Sequence, residues 1–234
     1  PIYSSSATAD LCEILLPDSG YLQEKDAEFA NRHGYSKHKP ALPLYTERDA
    51  RAALNHFKPL SIDEEHALGP PFSATLRRTG HILGACSVQV ASDDLSIVFS
   101  GDLGRYDDPI LHDPTPVRRA DYLVVESTYG DRLHERIDPA AALGEIVART
   151  VARGGTVIIP AFAVGRAQSL LYWLRRLKDS GRLGNVPVFL DSPMAVDASE
   201  LLCRHLQDHR LSEHECRTAC GVATYVRSTE DSKA

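Results

Sequence analysis

Long apolar runs are missing from this sequence: no stretch of its 234 residues approaches the roughly 18 consecutive apolar positions a membrane-spanning helix needs. Cysteine is sparse and odd in number. Its five copies (Cys12, Cys86, Cys203, Cys216 and Cys220) are scattered except for the last pair, which argues against a disulfide framework. No leader of the secretory type opens the sequence, so a reducing, cytoplasmic compartment is the expectation. Basic charge is in deficit, with 26 Lys and Arg against 32 Asp and Glu, which excludes binding to nucleic acid by bulk charge and leaves only a local site for it. There is no internal repeat, no low-complexity tract and no G-x-G-x-x-G string, so a solenoid, a disordered linker and a dinucleotide-binding turn are not indicated. What is present, 43% hydrophobic and 25% charged residues, is the make-up of an ordinary globular chain long enough for one large domain or two modest ones.

Along the chain the texture changes twice. Residues 8–31 are mostly helix formers, with Leu11, Ile14, Leu15, Leu22 and Phe29 on helical spacing and an interruption near Pro17 to Gly20. After a polar connector, Thr46 is placed to cap a helix over 47–57, since its hydroxyl can accept from the free N–H groups of the first turn. Runs at 72–79, 87–91, 95–100 and 121–125, separated by Gly, Asp and Pro, read as strands and turns. Beyond Glu126 the pattern alternates. Asp138-Pro139 starts a helix that stops at Gly154-Gly155, with Pro in the first turn where its missing N–H costs nothing. An apolar strand at 156–160, a helix from Gly165 to Ser180, a second apolar strand at 186–190 and a helix opened by Ser192-Pro193 follow. Strands apolar on both faces, alternating with helices, imply a doubly wound parallel sheet covered on both sides. The boundary between the two textures falls near residue 130, and the tail from His209 onward shows no lasting periodicity.

Three places can carry chemistry. In Thr79-Gly80-His81-Ile82-Leu83-Gly84 a histidine sits between glycines after a strand, on a turn where backbone can approach a ligand. About twenty residues later a strand ends in Gly101-Asp102-Leu103-Gly104, which can point a carboxylate into a cleft. Imidazole and carboxylate from neighbouring strand ends are the ligand chemistry of zinc hydrolases. The plain alternative is that His81 is a turn residue and Asp102 hydrogen-bonds its own turn. Glu126, at the end of the strand Tyr122 to Val125, could orient a catalytic partner or simply cap the following turn. Farther on, His205, His209, His214, Cys216 and Cys220 could make a local zinc knot, although His-x3-His with Cys-x3-Cys is a loose match to zinc spacings.

Taken in order, Gly80-His81-Ile82-Leu83-Gly84, Phe99-Ser100-Gly101-Asp102-Leu103-Gly104, Glu126-Ser127-Thr128-Tyr129-Gly130 and Pro160-Ala161-Phe162-Ala163-Val164-Gly165-Arg166-Ala167-Gln168 resemble the metallo-β-lactamase-fold ribonucleases that carry a β-CASP domain. The resemblance implies an α/β fold: a partial metallo-β-lactamase αββα sandwich over residues 1–130, then a doubly wound parallel-sheet β-CASP domain over 131–234. It also implies two Zn2+ ions, with His81 a ligand to one of them and Asp102 a carboxylate bridging both. Glu126 would be the carboxylate that holds an acid histidine. The implied substrate is RNA, most simply single-stranded, cut from an end or internally. The assembly is left open, a homodimer being one option.

The departures count as much as the matches. No His-x-His-x-Asp-His string, the source of four ligands in the family, occurs here, and the later β-CASP motifs with the acid histidine are absent too. The sequence is therefore expected to be the middle of a longer protein, and as it stands to bind zinc poorly and cleave nothing. The competing expectation is a catalytically inactive relative that binds RNA or a partner protein. For gripping RNA, seven basic residues between 142 and 190 face only Glu145 and Asp179. Of these Arg166 is the best placed, because with Gly165 it opens a helix after a strand, where backbone N–H groups favour a phosphate. Ser192, at the end of the next apolar strand, could join it or be an ordinary N-cap.

Overall fold

The computed structural model describes residues 1–133, 137–228 and 230–233. Its first long element is a helix, α1 (Ser6–His33), capped by Ser5, whose hydroxyl accepts from the Thr8 N–H. The expected interruption is not there: Pro17 lies inside one continuous helix. Gly20 serves a contact instead, because a Cβ on it would stand 2.6 Å from the Glu47 Cα of the next helix. That helix, α2 (Glu47–Leu54), begins at Thr46 with a reciprocal capping box to Asp49. It ends earlier than the sequence suggests, since Phe57–Pro59 is taken up as a strand, β2, paired in parallel with β1 (Ile2–Ser4).

The main sheet has five strands in simple order: β3 (Glu65–Gly69), β4 (Phe72–Arg78), β5 (Cys86–Ala91), β6 (Ser96–Phe99) and β7 (Tyr122–Val124). The first three pairings are antiparallel and β6–β7 is parallel. Consequently β4, β6 and β7 all run the same way, and their C-terminal ends share one edge of the sheet. Alternation along β4 buries Ala74 and Leu76 on one face. The last two strands are more open than their apolar residues suggest: in β6 only Val98 is buried, and β7 is exposed along its whole length as the edge strand.

The second half holds α3 (Pro139–Ala152), α4 (Arg166–Asp179), β8 (Phe189–Asp191), α5 (Pro193–Arg204), α6 (Glu213–Cys220) and β9 (Thr224–Val226). Asp138 caps α3 and Ser192 caps α5, as the sequence indicates. The strands β8 and β9 pair in parallel, consistent with a mixed α/β fold. Residues 156–160 form no strand among the described residues, and Ile158 there is 87% exposed. Continuous apolar character by itself does not supply a neighbouring strand, and without one the segment forms no ladder. The aperiodic tail proved to contain α6 and β9, both too short for a pattern to register; Thr229 and Ala234 of it lie outside the described residues.

One core joins the two halves. Ala7, Leu11, Leu83, Ile110 and Leu111 from before residue 130 pack with Ala198, Leu201, Leu202, Leu211 and Cys216 from after it. A second cluster, around Val147, Leu171, Leu174 and Leu177, holds α3 to α4. The expectation of unbonded cysteines is corrected at one point, for Cys203 and Cys216 form a disulfide across 13 residues that ties α5 to α6.

Within the shared core His209 is buried with both ring nitrogens engaged. Nε2–H donates to the Leu202 carbonyl at 2.9 Å, and Nδ1 accepts from the Leu211 N–H at 3.2 Å. Only the neutral ring makes both bonds, and burial pushes its pKa below the ordinary 6.5. The unfolded chain takes up a proton near pH 6.5 that the folded chain refuses, so this group's contribution to stability is lost as pH falls through that value. Urea midpoints measured between pH 7.5 and 5.5 should therefore drop, and the drop should be shallower in His209→Gln. Equal slopes in the two proteins would assign the acid sensitivity to other groups.

Candidate metal centre

The shared edge of the main sheet gathers the three residues the sequence singled out. β4 runs into the turn that carries His81, β6 into the turn that carries Asp102, and β7 leads to Glu126. The His81 Nε2 lies 3.7 Å from the Asp102 Oδ2. Both side chains are open to solvent, His81 44% and Asp102 73% exposed, so neither is the plug of a packed core. Glu126 joins them through the backbone: its Oε1 accepts from the Leu103 N–H at 2.6 Å, bracing the turn on which Asp102 sits. Its own N–H donates to the Ser100 hydroxyl at 3.0 Å. The Leu103 amide, then Thr128, hold the Glu126 carboxyl below the usual carboxylate range, with His81 adding to the effect.

Glycine makes this convergence possible. A Cβ on Gly104 would stand 2.0 Å from the Gly80 carbonyl oxygen and 2.6 Å from the His81 nitrogen, so the two ligand-bearing turns touch backbone to backbone. The Gly104 N–H donates to the Thr79 carbonyl at 2.8 Å, which locks the contact. Gly80, at φ +67°, is in the left-handed region, and a Cβ there would lie 2.3 Å from the His112 carbonyl oxygen. Reading the sequence alone missed Gly104 as a site residue; the signal was the second glycine of Gly101-Asp102-Leu103-Gly104.

The structure also brings the start of α4 to the same place, since a Cβ on Gly165 would meet the Ile82 Cγ2 at 2.9 Å, one residue from His81. The expected nest of free N–H groups is, however, spent internally. The Gly165 N–H donates to the Gln168 Oε1 at 2.7 Å, that of Arg166 to the Val164 carbonyl at 3.1 Å, and that of Ala167 to the Phe162 carbonyl at 3.2 Å. What Arg166 keeps for an anion is its exposed guanidinium. Gln168 was not singled out in the sequence, yet it fastens this corner. Its buried amide donates to Ala163, Ala195 and the Ser199 hydroxyl, tying the α4 turn to α5. Ser192 is an ordinary N-cap, its Oγ accepting from the Ala195 N–H at 3.2 Å. Part of the basic face is likewise consumed: Arg175 pairs with Asp179, and Arg176 donates to the Tyr172 hydroxyl at 2.9 Å.

Imidazole and carboxylate are the donor types of a zinc site, so the pair fits in kind. In number it does not close a site, since zinc takes three or four ligands. Among the described residues the three-donor cluster lies elsewhere, at Cys203, Cys216 and Cys220.

Comparison with known proteins accords with this geometry. The Beta-Casp domain family matches residues 167–234. A ribonuclease of Thermus thermophilus, TTHA0252, is 35% identical over 242 aligned positions that take in all of this chain. The chain belongs to the metallo-β-lactamase-fold, β-CASP family. The endoribonuclease ysh1 of Schizosaccharomyces pombe is 37% identical over 65% of the chain. The transcription termination factor FttA of Methanocaldococcus jannaschii is 32% identical over 82% of the chain. The chain spans 51% of the Thermus protein, 20% of ysh1 and 29% of FttA.

Proposed function

We propose that the protein to which this β-CASP chain belongs is a metal-dependent hydrolase that cleaves single-stranded RNA. In this reading residues 1–130 form part of its metallo-β-lactamase domain and 131–234 part of its β-CASP domain. The observation that carries the reading is the 3.7 Å approach of the His81 Nε2 and the Asp102 Oδ2 at a sheet edge, with Glu126 bracing the Asp102 turn. His81 would hold one metal ion through Nε2, and Asp102 would offer a carboxylate oxygen to each of two. The remaining donors would come from parts of the longer protein that the relatives' lengths leave room for. When bound, two zinc ions would supply Lewis acidity to the phosphodiester and lower the pKa of water.

The chain's own contributions are those of placement. Glu126 stays ionised, fixes the Leu103 N–H and is also bonded by Thr128, and it would orient the acid histidine that the family resemblance implies. Arg166, exposed and one residue from the Gly165–Ile82 contact, would draw a backbone phosphate toward His81. That arrangement suits an attack on phosphorus in which the protein mainly positions and neutralises charge.

The test uses the longer protein and this chain side by side. The longer protein should contain zinc and cut an end-labelled single-stranded RNA until a chelator removes the metal. The 234-residue chain, kept with the Cys203–Cys216 cystine oxidised, should retain substoichiometric zinc and cut nothing. Chelator-insensitive cleavage by the chain would overturn the metal assignment. RNA binding without cleavage by the zinc-loaded longer protein would favour the inactive, binding relative.

A further inference from the structure

Three sulfurs from two helices converge away from the His81–Asp102 pair. Cys203 lies in the last turn of α5, while Cys216 and Cys220 stand one turn apart on α6, a spacing that puts both on one face. Cys203 and Cys216 are joined. The Cys220 sulfur is 3.6 Å from that of Cys203, and all three sulfurs lie within 4.8 Å of one another. Cys216 is fully buried, and the other two are half-buried.

Two chemistries use three neighbouring sulfurs, and geometry separates them. In a thiol–disulfide relay Cys220 would attack one cystine sulfur in line with the other. With an ordinary disulfide of about 2.05 Å beside the 3.6 Å contact, the outer sulfurs would then stand about 5.6 Å apart. The observed limit of 4.8 Å makes the arrangement a triangle instead. A tetrahedral zinc ion, with Zn–S near 2.3 Å, sets its sulfurs about 3.8 Å apart, a spacing the 3.6 Å Cys203–Cys220 contact already meets and Cys216 reaches once its bond to Cys203 is opened.

The surroundings point the same way. Burial pushes the Cys220 thiol up, and its polar neighbours are the Ser199 carbonyl, to which it donates at 3.8 Å, and the Tyr225 hydroxyl rather than a cation. A thiol in that setting is a poor nucleophile, whereas a bound metal ion deprotonates it outright. Among the described residues no histidine joins the three sulfurs: the His205 Nε2 meets Asp10 at 2.7 Å, and both nitrogens of His209 bond backbone. The local zinc knot suggested by the sequence is thereby corrected. Cys203, brought in from α5, stands where His205 and His209 were expected.

We infer that Cys203, Cys216 and Cys220, once the cystine is reduced, form a tris-thiolate site for a thiophilic d10 cation such as Zn2+, with the fourth position open to water. Opening the cystine takes two electrons and two protons from a dithiol reductant, which leaves as its own disulfide. Metal binding then releases the thiol protons to solvent. Bound there, the ion replaces the disulfide as the tie between α5 and α6.

Cadmium is the probe, because thiolate-to-cadmium charge transfer absorbs in the near ultraviolet while imidazole and carboxylate ligands give no such band. The reduced full chain, titrated anaerobically with Cd2+, should develop the band to one equivalent. Cys216→Ser and Cys220→Ser should each weaken binding at least tenfold, and Cys12→Ser should leave it unchanged. Full reduction without a band, or a band that survives in Cys220→Ser, overturns the site. Should a serine variant fail to fold, alkylation of the wild-type chain decides: Zn2+ should protect Cys203, Cys216 and Cys220 together, and protection of none of them counts against the site. An Asp102→Ala chain should titrate like wild type, which separates this site from the nuclease reading.

Discussion

Replacing Asp102 by alanine in the longer protein is expected to abolish RNA cleavage while leaving the fold intact. Even the outer-shell partners of metal ligands are worth about 10- to 100-fold in affinity or activity. Loss of a carboxylate placed to serve two ions should therefore cost on the order of 10³-fold or more in cleavage. The side chain is 73% exposed and faces His81 at 3.7 Å across solvent-open space, so the melting temperature should hardly move. Zinc content, cleavage rate and melting temperature measured on one preparation separate these effects. Near-normal turnover in Asp102→Ala would remove Asp102 from the metal site, and the proposed chemistry with it.

Gly104→Ala should be almost as damaging, although Gly104 carries no functional group. The added Cβ meets the Gly80 carbonyl oxygen at 2.0 Å, far inside any permitted contact, and the Gly80 and His81 atoms it approaches are all backbone. The turn carrying Asp102 must then back away from the turn carrying His81 by about 1 Å or more. Misplacement on that scale costs about 10²-fold in rate. Overpacking of this kind also lowers stability, typically by about 1–3 kcal/mol. Gly130→Ala is the matched control, since its Cβ would meet nothing closer than 3.4 Å. If Gly104→Ala cleaves within a factor of two of wild type, the backbone contact between the turns is not what sets the pair.

Caps and punctuation were legible without coordinates. Ser and Asp side chains act over three residues, so Thr46, Asp138 and Ser192 could be named as helix starts from local sequence, and each accepts the expected backbone N–H. Pro17 and Gly20 misled for the converse reason: what looked like a local break is a helix whose glycine admits a neighbouring helix, a partner 27 residues away in sequence, at Glu47. The strand at 156–160 misled because apolar character does not specify a pairing partner.

By itself the sequence determined the chemistry on offer: an imidazole, two carboxylates and the glycines around them, each at the end of a strand-like run. Only the tertiary structure decided that they meet. Residues 81, 102 and 126 share an edge because β4, β6 and β7 run in the same direction, and that direction follows from pairings no local pattern encodes. The same holds for the sulfur triangle. Cys216 and Cys220 could be placed on one helical face by spacing, but the third corner comes from another helix, brought there by a core that draws on both halves of the chain.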